Sequence, residues 1–119
     1  MLTKMTPLEC VELQLAAYNE RNLDLFLTAF AETVRCYRLP DMALTIDGKA
    51  AMSEFYATNR FVHEGLHAKV LNRMVIGNKV IDHELIHGLG PEPVETSVIF
   101  VVEDGLIAQV FFLPAKSAN

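Results

Sequence analysis

Along the first half of the chain, apolar residues recur at helical spacing. Leu8, Val11, Leu15 and Tyr18 follow one another at i, i+3 and i+4 intervals, and Glu9, Glu12 and Glu20 fall off that stripe. Thr6-Pro7-Leu8-Glu9 combines a capping hydroxyl, a proline at the first helical position and a glutamate three residues after the threonine. A helix therefore starts there for two independent reasons. Asn22, with Asp24 in the following turn, predicts a second start, whose buried stripe is Leu25, Phe26, Ala29 and Phe30. Asp47-Gly48 opens a third helix, in which Ala51, Met52, Phe55 and Tyr56 share a face. A short strand is predicted over residues 34–39.

From residue 68 the pattern changes. Residues 68–76, 80–86, 94–102 and 106–113 are rich in Val, Ile, Leu and Phe. Gly77-Asn78, residues 88–93 and Asp104-Gly105 separate them and supply the positive φ values that hairpin turns require. Helices followed by a meander predict an α+β fold: three amino-terminal helices packed on a curved, mainly antiparallel sheet. There is no internal repeat or linker, so residues 1–119 read as a single domain.

The Gly77-Asn78 turn sets a register. If it is a two-residue turn, Ile76 lies opposite Lys79, and the pairs count outward from there. One face then carries Val75–Val80, Arg73–Asp82, Leu71–Glu84 and Lys69–Ile86. Its charges assign it to solvent. The other face carries Met74–Ile81, Asn72–His83, Val70–Leu85 and Ala68–His87, and is expected to face the helices. A slip of one residue would exchange the two faces.

Several segments together resemble the nuclear transport factor 2-like superfamily, which includes ketosteroid isomerases and SnoaL-type polyketide cyclases. They are Ala16-Ala17-Tyr18-Asn19, Leu23-Asp24-Leu25-Phe26, Phe30-Ala31-Glu32, the helix start from Asp47-Gly48 to Phe55-Tyr56, and Glu103-Asp104-Gly105-Leu106-Ile107. The resemblance implies a cystatin-like cone with an apolar pocket at its mouth, and in many members a dimer through the outer sheet face. It also implies that Gln14 stands where the isomerases carry a phenolic donor. Arg38 falls at or near their general-base position, and Val98 at their second donor. None of the three residue types is retained, so the Asp/Tyr/Asp chemistry of ketosteroid isomerase is not expected; an arginine stays charged and cannot act as base.

Composition narrows the partners. Ten Lys and Arg against fifteen Asp and Glu give a net charge of −5, the wrong sign for general binding to nucleic-acid phosphates. No apolar run approaches the ~18 residues of a membrane span, and residues 1–7 lack the layout of a secretory signal. Cys10 and Cys36, with no Cys-x-x-Cys, fit a reduced, cytoplasmic protein.

Of the candidate chemical groups, His83 comes first. On the assigned face it meets the pocket beside Asn72, which would fix its tautomer, so that the imidazole acts as acid/base. Arg38 or a tyrosine would stabilise developing negative charge. Gln14, Tyr18, Tyr56, His87, Val98, Phe100 and Phe112 are expected to line the pocket. A metal site is not expected, because His83 and His87 on one strand stand about 13 Å apart. No cofactor is called for. Ile99, Val101, Ile107 and Phe111, with Glu95 and Gln109 at the rim, predict an apolar outer sheet face and an isologous homodimer. The expected function is a small-molecule enzyme of the isomerase, cyclase or hydrolase kind acting on a largely apolar ligand. The alternative is a non-catalytic ligand-binding or accessory module, marked by a pocket filled with Phe55, Phe100 and Phe112.

Overall fold

The computed structural model describes residues 4–116; residues 1–3, part of the amino-terminal stretch considered above, and residues 117–119 lie outside the described residues. Thr6 opens α1 (Pro7–Asn19) with a reciprocal cap: its hydroxyl accepts from the Glu9 amide at 3.2 Å and the Glu9 carboxylate accepts from the Thr6 amide at 2.8 Å. Asn22 caps α2 (Leu23–Leu27) by accepting from the Leu25 amide. Gly48 precedes α3 (Lys49–Asn59). The strands are β1 (Phe30–Arg38), β2 (Ala43–Asp47), β3 (His67–Ile76), β4 (Lys79–His87), β5 (Val94–Glu103) and β6 (Leu106–Pro114). They form one sheet in the order β2-β1-β6-β5-β4-β3, antiparallel throughout except where β1 runs parallel to β6. This is the α+β architecture read from the sequence. Among the described residues, no helix is long and apolar enough to cross a membrane.

The core lies between the helices and one face of the sheet. Val11, Ala17, Tyr18, Phe26, Met52 and Tyr56 pack onto Val34, Cys36, Val98, Phe100 and Val110. Three local expectations are corrected. The buried side of α1 carries Cys10, Val11, Gln14, Ala17 and Tyr18, while Leu8 is exposed; a stripe drawn through large apolar residues passes over the small ones that let a helix approach a sheet. α2 stops at Leu27, so Phe30 begins β1 instead of closing a helix. β2 was not expected, because five residues of mixed polarity carry little periodicity.

The β3–β4 hairpin carries the main correction. Ile76 lies opposite Lys79, and the predicted pairing holds through Asn72–His83; a bulge at Leu71 then shifts the remaining pairs by one. The facing is inverted, however, along β4 and along β3 as far as the bulge, while Ala68 beyond it lies inside as expected. Val80, Asp82 and Glu84 are buried beneath the helical layer, whereas His83, Asn72 and Met74 lie on the outer face. Asp82 goes inside because Arg73 neutralises it. Arg73 donates to both oxygens of Asp82, at 2.7 and 2.9 Å, and Glu12 of α1 approaches Arg73 at 3.8 Å. Asp82 is fully buried under this pair.

The outer face carries an apolar row across all six strands. Registered neighbours Leu44, Tyr37, Phe111, Ile99, Ile81 and Met74 run from β2 to β3, and the Tyr37 and Phe111 rings stack at 5.3 Å. Ile107, expected on this face, is buried in the core, because a register shift between Val101 and Val102 turns it inward. Behind β4, Gly88 adopts φ +94° and its backbone meets that of Gly65 so closely that a Cβ there would stand 2.4 Å from the Gly65 carbonyl.

Removing one partner from a buried ion pair leaves an uncompensated charge. Arg73→Met is expected to cost about 3 kcal/mol or more in urea unfolding, and Arg73→Met with Asp82→Asn to recover much of that loss.

Candidate functional site

The inner sheet face and the helices enclose a cavity of about 310 Å³, large enough for a small ligand. Its walls are mainly apolar: Leu15, Phe30, Phe55, Ile86, Val98, Phe100 and Phe112 contribute, with Leu89, Val94 and Pro114 among the other lining residues. Phe55, Phe100 and Phe112 line the space and leave it open. The polar groups are Gln14 and Tyr18 from α1, Tyr56 from α3, Arg60 just beyond α3, Arg38 at the end of β1, Thr45, Glu84 and Thr96.

The carboxyl of Glu84 dominates the electrostatics. Only 5% exposed, it sits on β4 opposite Thr96 of β5. Its pKa is raised to about 7, chiefly by burial and also by the neighbouring Asp82 charge, with Arg73 partly offsetting both. Arg73 is committed to Asp82, and among the described residues Glu84 forms no ion pair of its own. The Tyr18 hydroxyl is raised to about 12 chiefly by burial, with Arg60 opposing the shift and Glu84 supporting it. Burial likewise raises Tyr56. Both phenols therefore stay protonated near neutral pH and can donate hydrogen bonds.

The predicted residues divide. Gln14, Tyr18, Tyr56, Val98, Phe100, Phe112 and Arg38 line the cavity. Arg38 sits at the rim, its Nε and Nη2 donating to Asp41 at 3.3 and 2.7 Å, with both side chains well exposed. His83 and Asn72 do not reach the cavity. They lie on the opposite side of the sheet, because β4 alternates and Asp82 and Glu84 take the inner positions. Both nitrogens of His83 are engaged there: Nδ1 with the Asn72 amide at 3.0 Å and Nε2 with the Glu95 carboxylate at 2.7 Å. His87 is exposed at the end of β4 opposite His67, and is also absent from the cavity wall. The expected convergence of His83, Asn72 and Arg38 on one ligand atom does not occur.

Glu84 and Arg60 went unnoticed in the sequence. Glu84 carried a signal, since Val80, Asp82, Glu84 and Ile86 form one side of the strand, but its charges argued for solvent. Arg60 follows the last turn of α3, where a basic residue is unremarkable. Among the described residues, no three His, Cys, Asp or Glu side chains are grouped as metal ligands.

The SnoaL-like domain family matches residues 11–110 of the chain. No curated protein matches it. Among solved structures, an NTF2-like protein of unknown function from Cytophaga hutchinsonii is 20% identical, with a TM-score of 0.75 over 96% of this chain and 94% of its own. A Kribbella flavida protein provisionally named a ketosteroid isomerase is 21% identical, with a TM-score of 0.77 over 92% and 78%. A Sinorhizobium meliloti protein provisionally named a polyketide cyclase is also 21% identical, with a TM-score of 0.74 over 87% and 92%. At these identities the likeness is one of fold.

Glu84 makes stability depend on pH. Below its ordinary value of 4.5 the carboxyl is protonated in folded and unfolded chains alike. Between there and about 7 the unfolded chain ionises while the folded one stays protonated, so stability falls as pH rises. The loss levels off above about 7, at on the order of 3 kcal/mol. In urea titrations across this range, Glu84→Gln is expected to remove that slope.

Proposed function

The chain belongs to the SnoaL-like domain family, and from that premise we propose that it is a small-molecule enzyme of the isomerase, cyclase or hydrolase kind with Glu84 as the acid/base group. The observation that carries this reading is a buried carboxyl whose pKa lies near 7, set in an open apolar cavity. Such a group is poised both to take and to return a proton at neutral pH. As carboxylate, Glu84 removes a proton from a carbon next to a carbonyl. The Tyr18 hydroxyl donates a hydrogen bond to the enolate oxygen as charge develops. Glu84 then returns the proton at another carbon, or after ring closure. This uses neither the Asp/Tyr/Asp set of ketosteroid isomerase nor His83. The buried, unpaired Cys10 and Cys36 support a reducing, cytoplasmic setting.

A carbon acid that fits the cavity tests the chemistry without knowledge of the natural substrate. The protein is expected to accelerate deuterium exchange at the α-carbon of 2-tetralone, followed by NMR, with the rate rising through pH about 7. Glu84→Gln should lower the rate by about 10²–10⁴-fold, while His83→Ala leaves it unchanged. Bound tetralone without exchange would favour a ligand-binding module instead.

Self-association through the outer sheet face belongs to the same reading. The row from Leu44 to Met74 supports it, because a continuous apolar band across a sheet is a partner surface. Light scattering is expected to give a dimer, and Ile99→Lys, at the centre of the row, a folded monomer.

A further inference from the structure

Two guanidinium groups line the cavity, and they differ in what neutralises them. Arg38 is held at two points by Asp41. Arg60 has no carboxylate partner among the described residues. Its guanidinium carbon stands 4.9 Å from the centre of the Phe55 ring, one of its nitrogens donates to the Asn59 carbonyl at 3.1 Å, and it lies against the Tyr18 hydroxyl. The Phe55 ring face and the end of α3 both favour a cation there, but neither supplies a negative charge equal to its own.

The charges around the cavity therefore do not cancel. Arg38 and Asp41 offset each other, and Arg73 is taken by Asp82. Glu84 is neutral through much of the range below pH 7. What remains is one positive charge in apolar surroundings, which favours one negative charge on an incoming molecule. The planar fork of a guanidinium matches a carboxylate. A phosphate dianion would bring more charge than the cavity balances.

We propose that the cavity binds an amphipathic monocarboxylate, its acid group seated on Arg60 and its apolar body lying among the phenylalanines. The volume suits on the order of ten to fifteen non-hydrogen atoms. This inference rests on the reading of the cavity as the ligand site and narrows the ligand from apolar to apolar with one anionic end. Tyr18 and Tyr56 feel the charges of both Arg60 and Glu84, whereas Arg60 is not among the charges acting on Glu84. Arg60, both tyrosines and Glu84 line the same cavity, so an acid anchored at Arg60 shares that space with Glu84.

The test compares 4-phenylbutyrate with its neutral isostere 4-phenylbutanamide by titration calorimetry, with amide chemical shifts locating the bound probe. The acid is expected to bind about tenfold or more tightly than the amide, as one charge-assisted contact gives. Arg60→Met should abolish that preference by weakening the acid alone. Arg60→Lys, which keeps the charge, should retain most of it and guards against a variant that misfolds. Equal affinity for acid and amide, equal loss of both in Arg60→Met, or binding of neither probe would overturn the proposal. Tetralone exchange, read separately on Glu84→Gln, shows whether the acid/base reading has failed with it.

Discussion

The Arg73–Asp82 pair decides which way the sheet faces. A two-point ion pair under α1 is costly to desolvate, and what it secures is orientation more than stability. With Asp82 pinned inward, strand alternation leaves no choice at its neighbours: Glu84 must enter the cavity and His83 must leave it. The same aspartate then helps raise the pKa of Glu84 by placing a second negative charge on its own side of the strand. A structural contact on one part of β4 thereby prepares a chemical group on the next.

Local signals were legible in the chain; the choice of face was not. The Thr6 and Asn22 caps and the Gly77-Asn78 turn are satisfied by residues within a few positions of each other, and each forms as its sequence suggests. The register from Ile76–Lys79 to Asn72–His83 follows from the turn alone. Period-two alternation, however, divides a strand into two faces without saying which is buried. The usual guide, that charge goes to water, fails when two charges cancel each other. The Leu71 bulge and the short strand β2 left no mark on the pattern. The cavity wall was partly readable because Tyr18 and Tyr56 lie on stripes of helical spacing, and Gln14 followed from the resemblance. Glu84 could be placed only once the Arg73–Asp82 pair, legible in the register, was found on the inner face, and Arg60 only once the end of α3 was seen against Phe55.

On the outer face, His83 acts as a fastener. Asn72 on β3 and Glu95 on β5 each hold one nitrogen of its ring, so the imidazole ties three neighbouring strands together. With both nitrogens engaged, neither is left to accept a proton from a ligand, even apart from its position. The residue that looked most reactive in the sequence is thus occupied by structure, while a buried carboxyl with a raised pKa faces the cavity from the other side of the same strand.

The contact between Gly65 and Gly88 places a seam where two backbones touch without intervening side chains, directly before Leu89 on the cavity wall. No larger residue fits at Gly88 without displacing the Gly65 backbone, so this edge of the hollow cannot be widened or filled from that position. Room for a bulkier guest has to come from trimming Leu89, Phe55 or Val94, whose side chains project into the space. Reshaping of the hollow is thereby steered toward those three positions and away from Gly88.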